Sequence, residues 1–259
     1  MVPRCLTIAT SDSGGGAGIQ ADLKAFAAAG CHGMSVLVAL TAQNTVGVKA
    51  VHELPPDFIR AQLEAVYDDI GVDAAKTGML FSAPIVETVA DFLEGREVPL
   101  VVDPVMVASS GAKLLQDDAV EVLVRRLFPL ATVITPNLRE AEALAGLPGA
   151  PRRELAERLH ELGAAAVIVT GGHGDEAVDH LFDGVEHYEF PVPRHDVPAT
   201  HGAGCTHSAT ATALLAKGER LVRVTRAAGK VASDAVKNGL TEIGAGDGPV
   251  DVFHLGGAR

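Results

Sequence analysis

Cysteine is scarce in this 259-residue chain: only Cys5, Cys31 and Cys205 occur, far apart and never in a C-x-x-C pair. An odd number of isolated cysteines favours neither a disulfide framework nor a zinc site, and it indicates a reducing compartment. Basic residues are also in deficit, because 21 Lys and Arg face 33 Asp and Glu and leave a net charge of −12. Such a chain is poorly suited to a nucleic-acid backbone or an anionic membrane surface, and we expect neither as a partner.

Long apolar runs are missing as well. None reaches the length that spans a bilayer, and the segment before Ser11 lacks the layout of a signal peptide, so we expect a cytoplasmic protein. The motif G-x-x-x-x-G-K-[ST] is absent, which excludes an ordinary P-loop nucleotide-binding protein. The composition, with 47% hydrophobic and 21% charged residues, is that of a globular protein, and we expect a single domain over residues 1–259.

Short continuous apolar runs recur along the chain, as expected for strands buried on both faces of a parallel sheet. They cover Leu6 to Ala9, Met34 to Leu40, Leu100 to Val102, Thr132 to Ile134 and Ala165 to Val169. Helix-period segments lie between them: from the Pro55-Pro56 pair to Ile70, from Ala83 to Glu94 behind a Ser82 cap, and from Pro151 to Leu162. This alternation predicts the α/β class, with a mostly parallel central sheet and helices on both faces.

One segment departs from this alternation. Val178 to Phe182 and Val185 to Phe190 flank Asp183-Gly184, a strong signal for a tight hairpin between antiparallel strands. The sequence therefore predicts an antiparallel hairpin at one edge of the sheet.

A glycine-rich segment, SDSGGGAGIQ, occupies residues 11–20 between the first strand and a helix. Ligands of open α/β sheets bind beyond the carboxyl ends of the strands, where glycine lets backbone and ligand approach closely. The segment matches a dinucleotide fingerprint only loosely, because the following strand runs into Thr41, Ala42, Gln43 and Asn44 without an acidic residue. A hydride-transfer enzyme is therefore disfavoured, and a simple turn is the structural alternative.

A second glycine-containing segment, HGAGCT, spans His201 to Thr206 and opens a predicted alanine-rich helix that runs to Lys217. Backbone N–H groups at a helix N-terminus form a positively polarised cup that can hold a phosphoryl group. The same location is expected to lower the pKa of the Cys205 thiol and let it accept a proton from an attacking hydroxyl. The alternative interpretation is a buried structural cysteine.

Seven segments, in this order, make the chain resemble the hydroxymethylpyrimidine and phosphomethylpyrimidine kinases of the ribokinase superfamily. They begin at residues 11, 41, 76, 102, 135, 170 and 201 and read SDSGGGAGIQADLK, TAQNT, KTGML, VDPVMV, TPNLREA, TGGH and HGAGCT. The likeness runs from about Cys5 to about His254. It implies a ribokinase-like fold and transfer of the γ-phosphoryl group of ATP to 4-amino-5-hydroxymethyl-2-methylpyrimidine, then to its monophosphate.

The resemblance implies that Cys205 is the general base and that the amides of Gly202, Ala203 and Gly204 form the anion hole. It also implies Mg²⁺ beside Asp103 and Glu140, and it is compatible with a monovalent cation. Each carboxylate has a structural alternative. Asn137 and Glu140 have the spacing of a helix capping box, and Asp103 precedes Pro104 as a strand-ending turn residue would.

The remaining implied residues bind the two substrates. The residues for the acceptor are Asp12, Ala17, Asp22, Gln43, Met79 and Val105. Gln43 is the most specific of them, because its amide can pair with an exocyclic amine and an adjacent ring nitrogen together. The residues for ATP are Lys76, Asn137, Thr170 and Gly172. Lys76 has the alternative of extending its amine from the sheet end into solvent, and Thr170 stands where some family members have a phosphate-contacting Lys.

Two other functions stay open at this point. A pyridoxine or pyridoxal kinase is the nearest alternative, because that sister group shares VDPVMV and HGAGCT, whereas Gln43-Asn44 favours the aminopyrimidine. A non-catalytic pyrimidine-binding module is disfavoured, because binding alone needs no base at Cys205. The expected partners are a small-molecule acceptor and a second copy of the chain in a homodimer.

Overall fold

The computed structural model describes residues 1–106, 115–172 and 177–257. Within these residues, one sheet has the strand order β3-β2-β1-β4-β5-β6-β7-β8-β9. The strands are β1 Arg4–Asp12, β2 His32–Asn44, β3 Gly47–Glu53, β4 Ala74–Thr77, β5 Leu100–Val102, β6 Val133–Ile134, β7 Val167–Val169, β8 Val178–Phe182 and β9 His187–Pro191. In the stretch β2-β1-β4-β5-β6-β7 of this order, each strand is parallel to the next. β3 at one end and β8 and β9 at the other pair antiparallel to their neighbours.

Helices cover both faces of this sheet. They are α1 Gly18–Ala28, α2 Pro56–Ala65, α3 Ala83–Leu93, α4 Asp117–Arg126, α5 Leu138–Ala145, α6 Arg152–Glu161, α7 Ala203–Ala216 and α8 Leu221–Lys237. Because successive strand residues point to opposite faces, Leu6 and Ile8 pack with α2 to α6, while Cys5 packs with α1 and α7. The α/β class, the mostly parallel sheet and the antiparallel hairpin at its edge are confirmed. Single-domain organisation stays a prediction.

Several details differ from the sequence-based expectations. The helix predicted to run to Ile70 changes after Ala65 into a π-helical turn, which ends at Gly71. Ser82 precedes α3 but makes no capping bond, because its hydroxyl donates to the Glu53 carboxylate. The hairpin loop has four residues instead of two, because the Asp183 carboxylate accepts the N–H groups of residues 185 and 186.

The carboxyl ends of the parallel strands share one edge of the sheet, and most of the predicted site residues lie along it. Asp12 ends β1, Gln43 lies at the end of β2, and Asp103 directly follows β5. The N-terminus of α7 reaches this edge, because Ser208 in its second turn bonds Asp103. Among the helices of the described ranges, none combines the length and the apolarity needed to cross a membrane.

Candidate active site

The glycine loop, residues 13–17, directly contacts the start of α7. A Cβ added to Gly202 would lie 1.9 Å from the carbonyl oxygen of Gly16, and one added to Gly16 would lie 2.3 Å from the His201 ring. Gly202 also has a φ of +88°, which L side chains rarely adopt. The two glycine segments that the sequence singled out therefore form one structure, and glycine is needed where they meet.

Asp12 holds this loop in shape. Its Oδ1 accepts the N–H of Gly14 at 2.7 Å, and its Oδ2 accepts the N–H groups of Gly16 and Ala17 at 3.0 and 2.9 Å. His201 Nε2 donates to the same Oδ2 at 2.9 Å. Burial acts to raise the pKa of Asp12, but the bonds from His201 and the loop amides outweigh it and lower the pKa. Asp12 is thus occupied by loop donors, so its effect on an acceptor passes through the loop.

Cys205 is the third residue of α7. The N–H of Thr206 bonds the carbonyl of Gly202 at 2.8 Å and begins the helical ladder, which leaves the earlier amides outside it. One of the three amides predicted for the anion hole has another partner, because the Ala203 N–H donates to the Thr200 carbonyl at 3.1 Å. The assignment of the Ala203 amide to the anion hole is therefore corrected. The N–H groups of Gly202 and Gly204 have no acceptor within the described part of the chain and can face an anion.

The thiol of Cys205 is not activated in the way the sequence suggested. Burial among protein atoms is the largest cause of a raised pKa, the nearby carboxylates of Asp22 and Asp103 add to it, and the net pKa of the thiol is about 12. The Lys76 ammonium and the Gly18 N–H act in the opposite direction without reversing the shift. The expectation of a lowered pKa is therefore wrong, because withdrawal of the thiol from water outweighs the effect of the helix N-terminus.

A buried polar chain connects α1, β4, α7 and β5 next to this thiol. Lys76 Nζ donates to Asp22 Oδ1 at 2.7 Å and to Ser208 Oγ at 2.8 Å, and Ser208 donates to Asp103 Oδ2 at 2.7 Å. Burial alone would lower the pKa of Lys76, but Asp22 and the other acidic groups raise it to about 12. The amine is therefore an ammonium.

This hydrogen-bonded chain corrects two predicted substrate contacts, those of Asp22 with the acceptor and of Lys76 with ATP. The side chains of Asp22 and Lys76 are both 0% exposed. Asp22 accepts the Thr7 hydroxyl and the Lys76 ammonium inside the fold and faces no surface from which it could contact an acceptor. Lys76 neither reaches solvent nor presents its amine to a nucleotide phosphate. Both residues were expected at the sheet edge because they belong to recognisable segments. Their partners come from distant positions that the sequence pattern does not connect.

Asp103 and Glu140 form the acidic part of the site. Glu140 and Asn137 make the capping box at the start of α5: the Glu140 carboxylate accepts the N–H of Asn137 at 2.9 Å, and the Asn137 side-chain oxygen accepts the N–H of Glu140 at 3.1 Å. Glu140 also accepts the N–H of Met106 at 3.4 Å. Burial and the Asp103 charge raise the pKa of Glu140 to about 8. The structural interpretation of the Asn137–Glu140 pair is confirmed, and the electrostatics mark Glu140 as a carboxyl poorly balanced by cations.

Without Mg²⁺, Glu140 is expected to make the protein less stable as the pH rises from about 5 to 8. The folded carboxyl, with a pKa of about 8 in place of 4.5, retains a proton that the unfolded chain has lost. Stability then falls by up to about 1.4 kcal/mol per pH unit. Urea unfolding across this range in the presence of EDTA measures the slope. Glu140→Gln should flatten it, and exposed Glu154→Gln should not; identical slopes in all three proteins would refute the shift.

The residues expected around the acceptor surround the glycine loop. Gln43 is half-buried, and its backbone N–H and carbonyl both bond the Ser13 hydroxyl, at 2.8 and 2.7 Å. Met79 is buried beyond β4, where its carbonyl accepts the Thr10 hydroxyl. Val105 and Ala17 are half-buried, on the strand-end and loop sides. These four residues remain the predicted acceptor contacts.

The residues expected around ATP lie on the neighbouring strand ends. Asn137 and Thr170 form a bridge between the segments after β6 and β7, and Gly172 is exposed just beyond. Two residues of the resemblance segments, Val107 and His173, lie outside the described residues. Asn137, Thr170 and Gly172 remain predictions.

Three residues that shape the site had no assigned role at the sequence level. His201 bonds Asp12, and Ser208 joins Lys76 to Asp103. Asp179 in β8 accepts the Gly171 N–H at 2.7 Å and bonds His207 of α7 at 3.1 Å. His201 stands within HGAGCT, so that segment could have drawn attention to it. Asp179 had no sequence signal, because its partners come from two distant elements.

The family of the chain follows from its sequence matches. Residues 12–251 match the family model described as phosphomethylpyrimidine kinase. The chain belongs to this family. A hydroxymethylpyrimidine/phosphomethylpyrimidine kinase of Streptomyces coelicolor is 48% identical over 253 residues, covering 96% of this chain and 94% of that protein. Thiamine biosynthesis bifunctional protein ThiED of Geobacter sulfurreducens is 49% identical over 95% of this chain, which spans only 51% of that longer protein.

Solved structures give the same fold. A pyridoxal kinase from Staphylococcus aureus in complex with ADP superimposes with a TM-score of 0.89 at 35% identity, covering 100% of this chain and 96% of that one. The ribokinase-like architecture implied by the resemblance is confirmed by this likeness. A shared fold does not determine which ring is bound, and the names of the more similar sequence relatives favour the pyrimidine kinase over the pyridoxal alternative.

Proposed function

We propose that this phosphomethylpyrimidine kinase family member transfers the γ-phosphoryl group of ATP to 4-amino-5-hydroxymethyl-2-methylpyrimidine and then to its monophosphate. The observation that carries the proposal is the contact of two segments: Cys205, near the start of α7, follows glycines that pack on the loop held by Asp12. This contact supports the proposal that a proton acceptor and amide donors act together at the mouth of one loop. The product of the second transfer is the pyrimidine diphosphate used in thiamine biosynthesis.

In the first transfer, the 5-hydroxymethyl oxygen attacks the γ-phosphorus of ATP, ADP leaves, and Cys205 takes the hydroxyl proton. Charge that develops on the phosphoryl oxygens is met by the N–H groups of Gly202 and Gly204 at the positive end of α7. In the second transfer, a phosphate oxygen of the first product replaces the hydroxyl as the nucleophile. Asn137, Thr170 and Gly172 bind the nucleotide on the adjacent strand ends.

Mg²⁺ fits the acidic part of this site. Asp103 and Glu140 supply hard oxygen donors, and the raised pKa of Glu140 indicates a carboxyl that lacks a balancing cation. No group of three or more His, Cys, Asp or Glu able to hold a metal occurs among the described residues. Two carboxylates suffice, because Mg²⁺ usually completes its shell with phosphate oxygens and water. When bound, the ion would neutralise phosphate charge.

The acceptor ring lies against Gln43, Met79 and Val105 in this proposal. Gln43 supplies directional hydrogen bonds to the exocyclic amine and ring nitrogen, while the other two side chains supply apolar faces. The wider assignment is a cytoplasmic homodimer. The low cysteine content supports a reducing compartment, and size-exclusion chromatography with light scattering tests the dimer.

Gln43→Leu is expected to raise KM for the aminopyrimidine by roughly 10–100-fold, because one to two hydrogen bonds to the ring are lost and polar ring atoms lose their partners. The change in kcat should be smaller, since Gln43 is remote from the transferred phosphoryl group in this scheme. Steady-state kinetics with the aminopyrimidine and with pyridoxal measures the effect. Equal losses for both acceptors would contradict ring pairing by Gln43.

The function itself is tested by steady-state kinetics with three acceptors: the hydroxymethylpyrimidine, its monophosphate and pyridoxal. We expect ATP-dependent turnover of both pyrimidines, with higher kcat/KM than for pyridoxal. Turnover of pyridoxal alone would replace the proposal with the vitamin B6 alternative. ATP-independent binding without turnover of any acceptor would favour the non-catalytic module.

A further inference from the structure

The side-chain amide of Gln43 lies between two polar groups. Its Oε1 is 3.2 Å from Thr41 Oγ1, and its Nε2 is 3.3 Å from His201 Nε2. The two ends of a glutamine amide have nearly the same shape, so the neighbouring donors and acceptors decide which end faces which group. The Ser13 hydroxyl already holds the backbone N–H and carbonyl of Gln43. The orientation of the Gln43 side-chain amide is therefore what its two neighbours still have to determine.

Thr41 can offer Gln43 only a lone pair. A hydroxyl has a single hydrogen, and Thr41 Oγ1 lies 3.0 Å from the carbonyl oxygen of Ser11, which cannot donate. The hydrogen is therefore committed to Ser11. The Gln43 atom that faces Thr41 must then be a donor, which means that it is the amide nitrogen.

His201 imposes the same orientation independently. Its Nε2 lies 2.9 Å from Asp12 Oδ2, an oxygen that already accepts the N–H groups of Gly16 and Ala17. A carboxylate that accepts from several donors has no hydrogen to give, so His201 Nε2 carries the hydrogen of this contact. A protonated Nε2 cannot accept a bond from an amide nitrogen. Its one hydrogen is directed mainly at Asp12 Oδ2 at 2.9 Å, and at 3.3 Å the Gln43 amide can only share it. An oxygen is attracted to that shared N–H whereas an NH₂ group is repelled by it, so the Gln43 atom that faces His201 is the carbonyl oxygen.

We propose that His201, held by Asp12, and Thr41, held by Ser11, fix the Gln43 amide with its oxygen towards His201 and its nitrogen towards Thr41, and thereby select the acceptor ring. The inference rests on the proposed function and deepens it. His201 and Thr41 act as positioning residues, since they act on the ring through Gln43. The second lone pair of the oxygen and the second hydrogen of the nitrogen are left for the substrate.

A fixed amide can pair with only one order of donor and acceptor on a ring whose hydroxymethyl group faces Cys205. In the pose that belongs to this proposal, a 4-aminopyrimidine places its exocyclic amine against the Gln43 oxygen and its adjacent ring nitrogen against the Gln43 nitrogen. The 4-oxo analogue, in which the amine is replaced by a carbonyl and the neighbouring ring nitrogen carries a hydrogen, presents the reverse order. It would set acceptor against acceptor and donor against donor, unless the amide rotated by 180°.

The test compares the 4-amino and 4-oxo hydroxymethylpyrimidines as acceptors in the wild-type enzyme and in variants. We expect the wild type to prefer the 4-amino ring by at least about 100-fold in kcat/KM, because unpaired polar atoms in a binding site are strongly discriminated against. His201→Leu and Thr41→Val each free the amide to rotate. In each variant the ratio of kcat/KM for the 4-amino ring to that for the 4-oxo ring should fall roughly tenfold or more, because the freed amide can pair with the 4-oxo ring as well.

Conservative variants separate positioning from general damage. His201→Gln places an amide N–H near the position of Nε2, and Thr41→Ser keeps the hydroxyl, so both should retain most of the preference. Exposed His52→Leu on β3 is the neutral control. If a variant turns over too slowly, the ratio of dissociation constants for the two rings, measured calorimetrically, gives the same comparison.

The outcomes distinguish the two levels of the account. A wild type that phosphorylates neither pyrimidine overturns the proposed function, and the inference with it. A wild type selective for the 4-amino ring, with the same preference in His201→Leu and Thr41→Val, overturns only the inference. Loss of preference in these two variants with retention in His201→Gln and Thr41→Ser supports it.

Discussion

Cys205→Ala is expected to lower kcat by about 10²–10⁴-fold, the usual contribution of a general base, while the aminopyrimidine still binds. The thiol is the only proton acceptor proposed at this position, whereas ring recognition belongs to Gln43. Single-turnover kinetics measures the chemical step, and isothermal titration calorimetry measures acceptor binding. Cys31→Ala is the matched control, because Cys31 lies between α1 and α7, away from the helix start.

The pH dependence of this enzyme should reflect the raised pKa of the partly exposed Cys205 thiol. Because burial raises the pKa of Cys205 to about 12, the thiolate fraction in the free enzyme grows nearly tenfold per pH unit throughout the neutral range. The wild-type log(kcat/KM) should therefore rise with a slope near one from about pH 6.5 to 9, since kcat/KM reports groups of the free enzyme. Cys205→Ala should lose this slope. Unchanged kcat in the variant would remove Cys205 from the reaction.

Lys76→Met is expected to be the most destabilising substitution considered. It would leave the Asp22 carboxylate, which is 0% exposed, without its cation at the centre of the fold. Breaking a buried ion pair in this way costs about 3–5 kcal/mol, which lowers Tm by roughly 10 °C in a chain of this size. Denaturant unfolding and calorimetry at neutral pH measure the loss.

Two further proteins make that result interpretable. Lys230→Met removes an ammonium from the exposed Lys230–Asp234 pair of α8, and it should cost less than about 1 kcal/mol. The double variant Lys76→Met with Asp22→Leu removes both buried charges and should recover a substantial part of the single-variant loss. If Lys76→Met were as stable as Lys230→Met, the buried pair would not hold α1 against β4.

The sequence predicted those elements of the fold whose signal is local. The apolar runs at Leu100 to Val102 and Ala165 to Val169 coincide with or contain β5 and β7, because strands buried on both faces have no polar alternation. β3 was missed because it is an edge strand in which no residue is buried, so it lacks a continuous apolar run. β4 was missed because its sequence AAKT carries a lysine that only the distant Asp22 makes acceptable in the core.

The same distinction applies to the site. The capping box of Asn137 and Glu140 was predicted correctly, because both partners lie within one helical turn. The pKa of Cys205 was predicted in the wrong direction, because burial by distant residues is not visible in the segment HGAGCT. The occupied amide of Ala203 depends on the loop conformation before α7, which composition does not determine.

A competition assay tests the central claim most directly. Equimolar hydroxymethylpyrimidine and pyridoxal are incubated with the enzyme, ATP and Mg²⁺ in one vessel, and the products are followed by mass spectrometry. The account predicts that the pyrimidine monophosphate appears first, that the diphosphate follows, and that pyridoxal 5′-phosphate accumulates more slowly than either step. Pyridoxal 5′-phosphate as the dominant early product, with no pyrimidine diphosphate at any time, would contradict it.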